Sequence, residues 1–282
     1  MKLIRWGLVG EEKPGVWRDG KMYDVSADFK DFDGAFFASG GLIELQKSLD
    51  EKAYPILPPN IRLGCPVAHP SKIVCVGLNY AKHAAETKSP VPAEPIIFLK
   101  STTAITGPYD SIIIPRNSVK TDWEVELAVV IGKRASYVEK DEAYNYIAGY
   151  CLHNDVSERA FQLERGGTWD KGKGCDSFAP LGPWLVTQEE IPDPHNLRLW
   201  LSVNGTKMQD GNTDDLIFDV PTLIAYISSF MTLMPGDIIS TGTPAGVGMG
   251  IQPSPIYLKP GDVVELGIDG LGCSQQKVVA HT

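Results

Sequence analysis

The segment Asp122-Trp123-Glu124-Val125-Glu126-Leu127 sets carboxylates at alternate positions. In a β-strand successive side chains point to opposite faces, so Asp122, Glu124 and Glu126 share one side and Trp123, Val125 and Leu127 the other. Same-face neighbours stand roughly 7 Å apart, and flexible carboxylates at that spacing can converge on one cation. A solvated strand face would show the same alternation, although the apolar run AVVIG that follows sits uneasily with it. Oxygen-only ligation favours Mg²⁺ or Mn²⁺ over zinc. Asp155, in His153-Asn154-Asp155-Val156-Ser157-Glu158-Arg159, is a further carboxylate candidate at the passage from an extended segment to a helix. Active-site groups concentrate at such places, and so do ordinary N-caps.

If residues 80–87 are helical, His83 and Glu86 form an i, i+3 pair on one face. A carboxylate beside an imidazole orients it and raises its basicity, which suits a base that activates water. A surface His–Glu pair has the same spacing. Lys173 lies among glycines in Trp169-Asp170-Lys171-Gly172-Lys173-Gly174, where it could hold a carboxylate or enolate or belong to a solvated basic loop. Ser240-Thr241-Gly242-Thr243-Pro244-Ala245-Gly246-Val247-Gly248 follows a strand, and its backbone N–H groups and hydroxyls could bind an anion. It has neither the spacing of a P-loop nor that of a dinucleotide fingerprint, and it could equally be a plain Gly-rich turn.

These groups must be placed by a chain of 282 residues, 43% hydrophobic and 22% charged, ordinary values for a globular protein. No apolar run approaches a membrane span and the N-terminus lacks the pattern of a signal peptide, so a cytoplasmic enzyme without membrane partners is expected. Asp and Glu outnumber Lys and Arg by 35 to 26, a field that argues against nucleic-acid binding. An anionic substrate would need a local cation to reverse it. The five scattered cysteines contain no C-x-x-C pair and are read as reduced thiols.

Short apolar runs separated by Gly- and Pro-rich turns predict a mixed α+β, β-dominated fold. Strands are expected at Lys72–Val76, Pro95–Leu99, Ile112–Ile114, Trp123–Ile131, Ala148–His153 and Leu197–Val203, with hairpin turns at Asp19-Gly20 and Asn204-Gly205. Helices are expected at Gly41–Leu49, near Tyr80, at Asp141–Ile147 and at Pro221–Met231. Pro55, Pro58, Pro59 and Pro66 mark a boundary between a small β-rich domain at 1–65 and a larger one at 66–282.

In this order GLNYAKHAAE, WEVELAVVIGK, NDVSERAFQ, KGKGCDSFAPLGPW and PGDIISTGTPAGVG resemble the fumarylacetoacetate hydrolase family from about Lys72 to Val279. The resemblance implies a β-roll catalytic domain, a homodimer, and Glu124, Glu126 and Asp155 as ligands of Mg²⁺ or Mn²⁺. It assigns the water-activating pair to His83 and Glu86, usually on a lid. It places Lys173 and Gln162 at the substrate oxyanion and Thr243 at its carboxylate, with Tyr80 also against the substrate. Asp122 takes a structural or supporting role. Fumarylacetoacetase has a further acidic ligand upstream of its catalytic His; Asn79-Tyr80 stands there in this chain, which points to the acylpyruvase-like branch.

The stretches MKLIRWG and ERGGTWDKGKGCDSF look most like hydrolases of 2,4-diketo-3-deoxy sugar acids. The implied reaction is C–C hydrolysis of a small 2-oxo acid of the acylpyruvate type, such as those sugar acids or maleylpyruvate, to pyruvate and a second acid. Isomerisation of a 2-hydroxyhepta-2,4-diene-1,7-dioate and decarboxylation of oxaloacetate use the same motifs. An inactive metabolite-binding protein would be expected to have lost one of the ligands or the His–Glu pair, and all are present.

Overall fold

A computed structural model describes residues 1–86 and 90–282. A ten-stranded sheet runs in the order Lys21–Asp24, Lys13–Arg18, Lys2–Trp6, Leu185–Thr187, Ile147–Asn154, Val125–Ile131, Ile238–Ser240, Ile73–Gly77 and Ile96–Lys100, with Leu63–Gly64 paired beside Lys2–Trp6. A five-stranded sheet follows the order Thr206–Asn212, Arg198–Val203, Val263–Ile268, Gly272–Ala280 and Ile112–Ile114. Helices are short, and none among the described residues is long and apolar enough to cross a membrane. The fold is the strand-rich mixed α+β architecture expected from the sequence.

Both hairpin turns form where the sequence places them. Asp19 and Gly20 have φ of 50° and 75°, Asn204 and Gly205 of 51° and 76°, the left-handed pair that a type I′ turn requires. The C-terminal helix spans Val220–Ser228, with Asp219 accepting from Thr222 N and Pro221 in the first turn, where its missing N–H costs nothing. The helix expected at Asp141–Ile147 is instead a tighter 3₁₀ run, Lys140–Tyr146. The N-terminal strands do not stand apart: Lys2 pairs with Val186 and Leu3 with Leu185, so the sheet continues across the Pro-rich segment.

Every residue of Val125–Ile131 and Ile147–Asn154 is buried. Strands covered on both faces lose the in–out alternation of half-exposed ones. The acidic positions therefore face the interior, and the solvated-face reading fails. The strand expected at Trp123–Ile131 begins only at Val125, because Glu124 N bonds to Asn154 Oδ1 at 3.2 Å and the Trp123 indole N–H reaches Gly246 O at 3.1 Å. Asp122 belongs to a separate short pairing with Ser157.

Two strands close the frame. Ile238–Ser240 runs parallel to Ile73–Gly77, with Ser240 opposite Cys75. Their carboxyl ends consequently open at the same end of the sheet, where Gly77-Leu78 and Thr241–Thr243 leave it.

Candidate active site

Cross-strand register assembles the carboxylates. Val125 lies opposite Asn154 and Glu126 opposite His153, so Asp155, one residue beyond its strand, falls beside Glu124 and donates its N–H to Glu124 O at 2.9 Å. One carboxylate oxygen from each of Glu124, Glu126 and Asp155 lies within 4.8 Å of the others, and all three residues are buried. Asp155 is not a helix cap: that position belongs to Glu158, which accepts from Ala160 N.

Buried carboxylates this close repel one another unless cations stand among them. Lys173 Nζ reaches Glu124 Oε2 at 2.5 Å and Asp155 Oδ2 at 2.7 Å, while Lys100 Nζ takes Asp155 Oδ1 at 2.5 Å. Arg159 bonds Glu124 Oε1 at 2.6 Å and, through Nε, Asp122 Oδ2 at 2.9 Å. Burial alone would raise the Asp155 carboxyl, but Lys100 and Lys173 outweigh it and hold the group far below the ordinary range. Glu126 goes the other way: burial, then the charges of Asp155 and Glu124, push it well above its ordinary value. Its two hydrogen bonds among the described residues, from Ser240 Oγ at 2.5 Å and Gly242 N at 3.0 Å, both fall on Oε2.

A buried, all-oxygen donor set in which Glu126 forms no ion pair among the described residues fits a hard divalent cation such as Mg²⁺ or Mn²⁺. Held by Glu124, Glu126 and Asp155, such an ion would act as a Lewis acid on a substrate carbonyl.

His83 is 6% exposed and its Nδ1 stands 3.2 Å from Glu86 Oε2. A carboxylate partner at Nδ1 favours the tautomer whose Nε2 lone pair is the base. The Gly246 N–H in turn fixes Glu86, at 3.0 and 3.1 Å from its two oxygens. Gly246 has φ of 106°, and a Cβ there would stand 2.0 Å from Met208 O, so only glycine fits. The Gly-rich loop does bind anions, and they are the protein's own: Gly242 N serves Glu126, Gly246 N serves Glu86, and Gly248 N and Met249 N serve Asp122. Asp122 thus ties that loop to Arg159.

A cavity of about 170 Å³ is lined by Glu124, Glu126, His83, Lys173, Gln162 and Thr243. Phe98, Trp169, Leu78 and Met249 supply an apolar wall. Lys173 ends the short helix Asp170–Lys173, not a solvated loop. Gly172 lets that helix close on its neighbours, since a Cβ would lie 2.4 Å from Glu158 O. Gln162 Oε1 accepts from Arg159 at 3.0 Å. The Thr243 hydroxyl donates to Val125 O at 2.9 Å and meets Gln209 Nε2 at 2.8 Å, so it is already engaged within the frame. Tyr80 is fully buried, does not line this cavity, and its hydroxyl has no hydrogen-bond partner among the described residues.

Lys100 and Arg159 are site residues that sequence reasoning missed. Lys100 closes an apolar strand, IIFLK, and is buried there, whereas the sequence shows only a lysine ending an apolar run.

The family described as Fumarylacetoacetate (FAA) hydrolase C-terminal matches residues 72–279. A Burkholderia lata protein named as a candidate hydrolase is 54% identical over 273 residues, 96% of each chain. Among solved structures, fumarylacetoacetate hydrolase from psychrophilic Exiguobacterium antarcticum is 36% identical with a TM-score of 0.89, covering 100% of both chains. Maleylpyruvate hydrolase from Sphingobium sp. SYK-6, solved with manganese(II) and pyruvate, is 30% identical with a TM-score of 0.82, again over 100% of both. 2-Hydroxyhepta-2,4-diene-1,7-dioate isomerase from Mycobacterium marinum is 34% identical with a TM-score of 0.76, covering 99% of this chain and 98% of that one. With its carboxylate cluster, its His–Glu pair and these relatives, the chain belongs to the fumarylacetoacetate hydrolase family.

Proposed function

We propose that the chain is a metal-dependent hydrolase that cleaves the C3–C4 bond of an acylpyruvate-type 2,4-diketo acid, releasing pyruvate and a second acid. The observation that carries this reading is that an oriented base and a carboxylate cluster line one cavity: His83, backed by Glu86, stands in the same wall as Glu124 and Glu126. The manganese and pyruvate of the Sphingobium relative support it.

His83 takes a proton from water, and the water oxygen adds to the C4 carbonyl. The electron pair of the C3–C4 bond passes to the pyruvate portion as that bond breaks, and a proton delivered to C3 completes pyruvate. Lys173, with Gln162 beside it, offsets the negative charge that develops. The apolar wall of Phe98, Trp169 and Met249 limits competing water.

The Mycobacterium marinum relative favours a second reading, isomerisation, in which no water attacks carbon and His83 only moves a proton. Metal-depleted enzyme assayed for pyruvate with and without Mg²⁺ or Mn²⁺ separates the two. The panel comprises acylpyruvates, maleylpyruvate, oxaloacetate and 2,4-diketo-3-deoxy sugar acids. Metal-dependent pyruvate with an equal amount of the matching free acid is the expected result. Pyruvate and CO₂ from oxaloacetate alone makes it a decarboxylase, and no pyruvate from any member overturns the hydrolase reading.

A further inference from the structure

Beside the carboxylate cluster stands a buried polar side chain to which no role has yet been given. His153 is fully buried, and its Nε2 has no hydrogen-bond partner among the described residues. Its other nitrogen, Nδ1, stands 2.6 Å from Ser240 Oγ, which stands 2.5 Å from Glu126 Oε2. The three side chains come from three adjacent strands, Ile147–Asn154, Val125–Ile131 and Ile238–Ser240. Register sets His153 directly opposite Glu126 and Ser240 opposite Ala128, two residues along on the same face as Glu126. A methyl at position 128 leaves the imidazole room to reach past the central strand.

Proton counting fixes the direction of this chain. A serine hydroxyl has one proton to donate, and an ionised carboxylate only accepts. With Glu126 ionised, the form that binds a cation, Ser240 donates to Glu126 and accepts from His153, so the imidazole carries a proton on Nδ1. With Ser240 Oγ and Gly242 N both on Oε2, Glu126 keeps Oε1 clear of hydrogen bonds among the described residues.

We propose that His153 is a positioning residue for the metal centre: its Nδ1–H locks the Ser240 hydroxyl onto Glu126 Oε2, so that Glu126 offers Oε1 alone to the cation. Groups that hold a metal-binding side chain from behind commonly contribute 10–100-fold in affinity. The cost of an unpartnered Nε2 in the interior is consistent with such a role, because a leucine or valine would pack the same strand without it.

This inference rests on the three carboxylates holding a divalent cation, and Mn²⁺ itself is the probe. Free Mn²⁺ is counted by electron paramagnetic resonance during titration of metal-depleted protein. The expected result is that His153→Leu and Ser240→Ala each weaken Mn²⁺ binding by about 10-fold or more, and that the double variant is no weaker than Ser240→Ala. His153→Asn, whose amide can donate from near the Nδ1 position, recovers most of the affinity. Wild-type affinity in a folded His153→Leu or in Ser240→Ala overturns the proposal, as does a double variant in which the two losses multiply. If His153→Leu does not fold, Ser240→Ala against His153→Asn decides alone: the first must weaken binding and the second must not. Wild-type protein that binds no Mn²⁺ would instead overturn the metal reading beneath it.

Discussion

Replacing Lys100 by methionine tests whether the buried cations hold the carboxylate cluster together. Lys100 Nζ lies 2.5 Å from Asp155 Oδ1 and 3.0 Å from Val156 O, and both ionised side chains are 0% exposed. Removing one partner of such a pair ordinarily costs about 3–5 kcal/mol, because the surviving charge is stranded in a medium that solvates it poorly. Asp155 keeps Lys173 at 2.7 Å, so the lower end, about 3 kcal/mol, applies. Methionine retains most of the volume, which keeps any cavity small. For a chain of this size the loss corresponds to a Tm lower by roughly 5 °C. Removing a positive charge also makes the cluster more attractive to a dication, so saturating Mn²⁺ must recover more stability in the variant than in the wild type. Urea and thermal unfolding, each with chelator and with Mn²⁺, measure both effects. A loss below about 1 kcal/mol without metal, or equal stabilisation of the two proteins by Mn²⁺, would refute the reasoning.

Glu126→Gln should abolish turnover with a loss of Mn²⁺ binding, whereas His83→Ala should lose turnover while still binding Mn²⁺ and pyruvate. Calorimetric titration checks both, and metal loss in His83→Ala would contradict its role as a base. Gly77→Ala would set a Cβ 2.4 Å from Trp169 Cζ3, so the ring must shift. A stability loss of about 1–3 kcal/mol with a reduced kcat/KM is expected, and unchanged kinetics would remove Trp169 from the working wall of the cavity. Burial alone would raise the Asp110 carboxyl, but the Arg62 guanidinium and Gly107 N–H outweigh it and hold it below its ordinary value. Its stabilisation is therefore present above the ordinary carboxylate pKa of about 3.9 and is lost as pH falls further. Asp110→Asn should flatten that part of the acid unfolding curve, and an unaltered curve would count against the pairing.

Much of the cluster was legible because strand alternation is a local property: Glu124 and Glu126 needed only the period of two that follows from the pleat. His83 and Glu86 followed from helical spacing in the same way. From its local pattern Asp155 was ambiguous because a carboxylate before a helix has two uses; the resemblance favoured one of them, and the register against Val125–Ile131 sets it beside Glu124. Lys100 and Arg159 were not legible. Their partners lie 55 and 35 residues away, at Asp155 and Glu124, and nothing in the sequence around either residue records that pairing.

The strand order has a consequence for how the chain reaches this state. The two strands that open together at the cavity are fastened through Lys72 and Asp237, which lie 165 residues apart, and the first residue is held by Thr187, 186 residues away. Contacts of such separation are reached only after large loops have closed, which places the chain among slow folders whatever its final stability. Nascent or partly refolded chains cannot yet present Glu126 between His153 and Ser240, so a cation offered early finds no coordination cage to template. Metal added at the start of refolding should leave the rate unchanged, and metal uptake should instead mark the moment at which the last pieces of the sheet have docked.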